Sequence, residues 1–172
     1  FHDIKSVHTW FKSASATNPG DLSFLFALQD ARSGNADLFS TYFNATTGTM
    51  VAWIADGATS DTPTFAVDLL DASWHHYAMV LIDNGGTDFL HMYVDGELAQ
   101  SDLSINCTIG NIDTDSLFVG TSPGVGVQPT VAASFAGQIA PLAVSKDELT
   151  ASEIRAIYND GVKAMQVAGT TN

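Results

Sequence analysis

The residues best able to do chemistry gather in "SWHHYAMVLIDNGGTDFLHMYVDGELA", residues 73–99, which holds His75, His76 and, further on, His91. A zinc site needs ligands that converge. His75 and His76 are adjacent, and neighbouring side chains on a strand point to opposite faces, so the pair cannot close on one metal. Their expected role is packing. Glycoside hydrolysis needs two carboxylates across the scissile bond, usually glutamates on a rigid element. The glutamates are Glu97, Glu148 and Glu153, one in a hairpin and two around a helix, and no Glu-x-Asp-x-x-Glu pattern occurs. Acid pairs in "DLLD" (68–71) and "DTD" (113–115) read as turn caps, where Asp bonds its own backbone. No Gly-x-Ser-x-Gly, phosphate-cradling glycine loop or Cys-x-x-Cys is present. The sequence therefore predicts a protein that is not an enzyme.

Binding is the chemistry that remains. A glycan-binding surface needs an aromatic platform with polar groups around it, and Trp10, Trp53, Tyr42 and Phe43 are the candidates. Alternation alone leaves open which of them lie on an uncovered face. Nineteen Asp plus Glu against six Lys plus Arg give a net charge of -13, the wrong sign for nucleic acid or an anionic membrane surface. The carboxylates are mostly Asp beside Gly, Asn, Ser and Thr, so they form either a solvated loop rim or oxygen-rich loops able to hold a hard cation. Cys107 is the single cysteine, which precludes an intrachain disulfide and suits a small buried hydrophobe. No run of about 18 apolar residues occurs, so membrane insertion is not expected. "FHDIKSVHTWFK" lacks a signal-like apolar core, as expected of a mature or excised domain. Sequons stand at Asn44 and Asn106.

The elements that must position these residues are strands. At 172 residues and 45% hydrophobic, the chain suits one domain spanning 1–172 with a real core. Period-two runs recur: "SVHTWFKS", "LSFLFALQD", "DLFSTYFN", "TMVAWIAD", "TFAVDLL", "HHYAMVLID", "DFLHMYVD", "SLFVGT" and "FAGQIAPLAVS". In "HHYAMVLID", Tyr77, Met79 and Leu81 fall on one face and His76, Ala78, Val80 and Ile82 on the other. The Asp-Gly of "VDGELA" predicts a tight hairpin into a further strand. One helix is signalled near 150–160, with Thr150 as N-cap, Glu153 as its capping-box partner, and Gly161 placed to end it. The expected fold is all-β, a two-sheet antiparallel sandwich with one short C-terminal helix packed against it.

In order and spacing, "SWHHYAMVLID", "LHMYVDGELA", "SLFVGTSPG" and "FAGQIAPLAVSKDELTASEIRAIYNDG" resemble the laminin-G-like modules of the concanavalin A-like lectin/glucanase superfamily, over about residues 6–161. The resemblance implies a jelly-roll sandwich that binds glycans or surface proteins, secreted or on a cell or virion surface. Two alternatives remain, a structural or decoration domain of a virion or surface appendage and a degenerate glycoside hydrolase-like domain. Family members usually carry another strand or two before "SVHTWFK", so the resemblance also implies an open sheet edge that invites self-assembly or docking to a larger particle. It further implies calcium. Asp30 in "FALQDARSGNADLF" matches the family's carboxylate ligand, while Ile109 and Asn111 in "TIGNIDTDSLFVG" match its backbone and side-chain carbonyl ligands. Another carbonyl would come from near Ala55 or Asp56. So few charged ligands imply an affinity of about 10⁻⁴ to 10⁻³ M.

Overall fold

The computed structural model describes residues 3–14, 22–30, 37–44, 49–67, 69–108, 114–121 and 134–169. Two antiparallel sheets face each other. The first places β1 (Ser6–Ser13) between β11 (Gly137–Ser145) and β7 (Trp74–Ile82), followed by β8 (Asp88–Val94) and β9 (Glu97–Ile105). The second runs β10 (Ser116–Val119), β2 (Leu22–Gln29), β3 (Leu38–Asn44), β4 (Met50–Ala55) and β5 (Ser60–Asp61), with the short β6 (Thr64–Phe65) also paired to β4. β1, the strand nearest the chain start, is paired on both sides, by β11 and by β7. Among the described residues the edges of the first sheet belong to β9 and β11.

The inner faces follow the alternation. Tyr77, Met79 and Leu81 of β7 meet Phe26, Phe39, Phe43, Met50 and Ile54 of the second sheet in one buried cluster. Thr41 Oγ1, which donates to the Val51 carbonyl at 3.0 Å, lies 3.2 Å from the Tyr77 hydroxyl and ties the layers together. "TFAVDLL" forms only the two-residue β6, a correction to the expected full strand. Beyond it, the adjacent Leu69 and Leu70, outside any strand, are both buried in the core.

The first sheet is apolar on its outer face as well because a helix, α1 (Ala151–Gly169), covers it. Ile154 packs there against Ala78, Val80 and Tyr93. The capping box forms as expected: the Thr150 amide donates to Glu153 Oε2 at 2.8 Å and the Glu153 amide to Thr150 Oγ1 at 3.3 Å. Ser6 Oγ fixes the approach to the helix, donating to the Asp147 carbonyl at 2.6 Å and accepting from the Leu149 amide at 3.0 Å.

Gly161 does not end the helix, which continues to Gly169. A Cβ at Gly161 would sit 2.6 Å from Trp10 Cζ2, so the glycine serves the close approach of helix to indole and not a C-cap. The Asp95-Gly96 hairpin forms as expected, with φ of 51° and 79°, matching a two-residue turn that needs positive φ at both centres. A Cβ at Gly96 would meet Tyr158 of the helix at 3.0 Å.

Candidate functional site

The outer face of the second sheet carries the candidate platform. On β4 the core takes Met50, Ala52 and Ile54, so Val51, Trp53 and Ala55 point outward. Register sets Ser40 beside Trp53 and Tyr42 beside Val51, and the Tyr42 ring lies 4.9 Å from that of Phe24. Phe24, Ala27, Leu38 and Ala55 form a small buried cluster there, with Tyr42 and Phe118 packed on it. Trp53 stands apart from this covered ground, with 36% of its surface exposed. The four candidate aromatics thus divide. Phe43 is core, and Trp10 is buried under α1, stacked on Tyr158 at 5.4 Å. Only Trp53 and Tyr42 belong to the outer face of the second sheet.

One end of that sheet is an acidic rim. Gln29 pairs with both Leu38 and Ser116, and Leu38 with Ala55, which places Asp30, Asp37, Asp56 and Asp115 at the same end. The Asp30 amide donates to the Asp37 carbonyl at 3.0 Å and the Asp115 amide to the Gln29 carbonyl at 3.1 Å. The Asp56 carboxylate closes its own turn, accepting from the amides of Ala58 at 3.0 Å and Thr59 at 2.7 Å, and reaches the Thr108 amide at 2.8 Å. Burial alone would raise its carboxyl, but these donors outweigh burial and hold it below the ordinary value. Asp61 accepts from the Asn106 amide at 2.6 Å, Asn106 Nδ2 at 2.7 Å and the Cys107 amide at 3.1 Å, so its carboxyl is likewise held low against burial. Cys107 is buried as expected, and burial, with Asp61 beside it, pushes its thiol up to about 11.

The calcium ligands expected from the sequence are only partly placed. Asp30 stands on the rim, whereas Ile109 and Asn111 lie outside the described residues. Among the described residues no three His, Cys, Asp or Glu side chains gather as a metal site. With the Asp56 carboxylate already accepting four hydrogen bonds, only its backbone carbonyl suits the role assigned to Ala55 or Asp56. The structural role of Asp61 was not anticipated, since its partners lie more than forty residues away and leave no local signature.

A family model described as the concanavalin A-like lectin/glucanases superfamily, of laminin-G type, matches residues 3–155. The chain belongs to this superfamily. Among solved structures, this laminin-G-like sandwich is similar to the CBM40 of the Ruminococcus gnavus IT-sialidase bound to α2,3-sialyllactose, with 21% identity and a TM-score of 0.69 over 90% of this chain and 82% of that one. It is similar to the leech intramolecular trans-sialidase at 20% identity and a TM-score of 0.67, over 89% of this chain but 23% of that one. Domains LG4-5 of the mouse laminin α1 chain match at 15% identity and a TM-score of 0.63, over 87% of this chain and 37% of that one. No protein in the curated comparison matches.

In this laminin-G-like sandwich each glutamate already serves the fold. Glu97 on β9 pairs with Arg155 of α1. Glu148 binds Lys5 Nζ at 2.8 Å and the Asp83 amide at 3.1 Å, and Glu153 closes the capping box. None stands on the outer face of the second sheet. Asp71 accepts from the Ser73 amide at 2.7 Å as a turn cap, and Asp68 and Asp113 of the other acid pairs lie outside the described residues.

The adjacent histidines do point apart. His75 lies between Asp95 at 2.9 Å and Asp71 at 3.0 Å, which raise its pKa against partial burial. His76 is fully buried, with Trp10 at 5.3 Å and His8 at 5.5 Å between ring centres, and burial drives its pKa down to about 4.

Proposed function

We propose that this domain is a non-catalytic glycan-binding module whose platform is the outer face of the second sheet around Trp53. The observation that carries the reading is a single exposed indole, flanked by Tyr42 and Ser40, on an otherwise buried apolar sheet face. An aromatic ring left open in this way presents the flat apolar surface on which the C–H face of a sugar ring stacks. The likeness in fold and length to a carbohydrate-binding module solved with a bound oligosaccharide supports it. Such a module acts outside the cell or on a particle surface.

An immobilised glycan array is expected to give binding to at least one oligosaccharide class, while the same protein releases no reducing sugar from the ligands it binds. Binding to no glycan would remove the reading, and sugar release abolished by Glu97→Gln would replace it with a hydrolase.

Calcium on the rim is part of the proposal. Asp30 would supply a carboxylate oxygen, Asn111 a side-chain carbonyl, and Ile109 with Ala55 or Asp56 backbone carbonyls, a hard-oxygen set suited to this ion. Bound there, calcium would fix the loops at the end of the platform. Calorimetry is expected to show binding at about 10⁻⁴ to 10⁻³ M that Asp30→Ala abolishes. An unchanged isotherm in the variant would place the ion elsewhere.

A further inference from the structure

Acids occur with both sheets of this molecule, whereas its described cations lie with the first sheet and its helix alone. Arg32 is the single Lys or Arg between Lys12 and Lys146, whereas of the 19 acids only Asp3, Asp147, Glu148, Glu153 and Asp160 fall outside that stretch. The described cations, Lys5, Lys12, Lys146, Arg155 and Lys163, all lie in or next to strands of the first sheet or in its helix, and Arg32 lies outside the described residues. Four of them are neutralised by neighbours: Lys5 by Glu148 at 2.8 Å, Lys146 by Asp3 at 3.8 Å, Arg155 by Glu97 and Lys163 by Asp160 at 3.1 Å. Among the described residues the second sheet therefore carries acids and no cation.

The platform sits within the field of those acids. Trp53 on β4 precedes Asp56, the residue just past the strand's end, by three positions, so the indole is roughly 10 Å along the strand direction from the rim, close to the screening length at physiological salt. The donors on Asp56 and Asp61 keep both ionised at neutral pH. A sugar carboxylate or sulfate stacked on Trp53 would meet this negative field with no described cation to pair with it. A neutral pyranose bears no such penalty.

Resting on the glycan-binding reading above, we propose that the Trp53 face selects uncharged pyranosides and discriminates against sialylated and other anionic glycans. The ligand class then differs from that of the structurally similar CBM40, whose solved complex holds sialyllactose.

The test is titration calorimetry of the full chain, in calcium-containing buffer, with lactose, N-acetyllactosamine, cellotriose and mannotriose against α2,3- and α2,6-sialyllactose. At least one neutral sugar is expected to bind tenfold or more tightly than either sialylated one, with the ratio shrinking as salt rises from 0.05 to about 0.5 M. Trp53→Ala is expected to weaken the neutral sugar at least tenfold at unchanged melting temperature, and Trp53→Phe, which keeps a ring, to retain most of the affinity. Sialyllactose bound as tightly as lactose would overturn the selectivity and leave glycan binding intact. Affinity unchanged in Trp53→Ala would overturn the placement of the site. Binding to none of these sugars and to no arrayed glycan would overturn both readings.

Discussion

Trp10→Ala is expected to cost about 3–5 kcal/mol, as removal of a buried aromatic generally does, and to free α1 from the sheet before the sandwich itself unfolds. Trp10 stacks on Tyr158 of α1 at 5.4 Å with the planes 14° apart, and the tilted His76 ring packs against both, 5.3 Å from Trp10 and 6.2 Å from Tyr158. Gly161 completes the seat, since any side chain there would enter the indole.

A double-mutant cycle isolates this contact. Alanine is the better helix former by about 1 kcal/mol, yet Gly161→Ala would place a Cβ 2.7 Å from Trp10 Cε2 and Nε1, and overpacking costs about 1–3 kcal/mol. Trp10 is buried, with little room for its indole to move aside, so overpacking wins and the single variant loses stability. In the Trp10→Ala background the clash is gone. There Gly161→Ala is expected to stabilise by about 0.5–1 kcal/mol. Urea unfolding of the four proteins, with amide exchange read along α1, measures the cycle. The same sign for Gly161→Ala in both backgrounds would mean that the indole does not dictate the glycine.

Gly161 shows where sequence reading stops. A glycine near the end of an apolar helical pattern fits a C-cap and a close approach equally well, and only the partner across the gap, Trp10 on β1, decides between them. Features with local causes were legible. The alternation of "HHYAMVLID" correctly assigned Tyr77, Met79 and Leu81 to the core, and Thr150 with Glu153 correctly marked the helix start, because neighbours in the chain produce both patterns. The candidate site was less legible. In "MVAWIA" both faces are apolar, so period two separates Trp53 from Ile54 without telling which is covered. That choice belongs to the opposing sheet, whose residues are distant in sequence. Asp61 likewise looks like any turn acid until Asn106 and Cys107 arrive on it from a different loop.

Mild acid is expected to destabilise the protein through His76. Its ring is buried beside His8, Trp10 and Tyr158, with Nε2 3.5 Å from His8 Nδ1, and its own Nδ1 has no hydrogen-bond partner among the described residues. Burial first, then the neighbouring His8, lowers its pKa to about 4, with the Asp95 carboxylate opposing them. The unfolded chain therefore binds a proton at this residue below about pH 6.5 that the folded protein refuses until about pH 4. Stability from His76 is complete above pH 6.5 and is lost as the pH falls through that window, by roughly 3 kcal/mol in all. His8, whose pKa burial also lowers, adds a slope of the same sign.

His75 acts in the opposite direction and in another range. Held protonated by Asp95 and Asp71, it contributes fully below pH 6.5 and loses its contribution as the pH rises through its raised pKa. It therefore adds no slope on the acid side. The carboxyls of Asp56, Asp61 and Glu148 are held low, so their stabilisation begins to fade only as the pH falls into the ordinary carboxylate range, below about pH 5. Between about pH 5 and 6.5 the decline belongs to the buried imidazoles. His76→Leu keeps an apolar side chain of similar volume and removes the unpartnered nitrogen, so near-wild-type or higher stability is expected at pH 7, with most of the decline toward pH 4.5 abolished. Urea midpoints at pH 7, 6, 5 and 4.5 for both proteins read this directly. Parallel declines in wild type and variant would assign the acid sensitivity to groups other than His76.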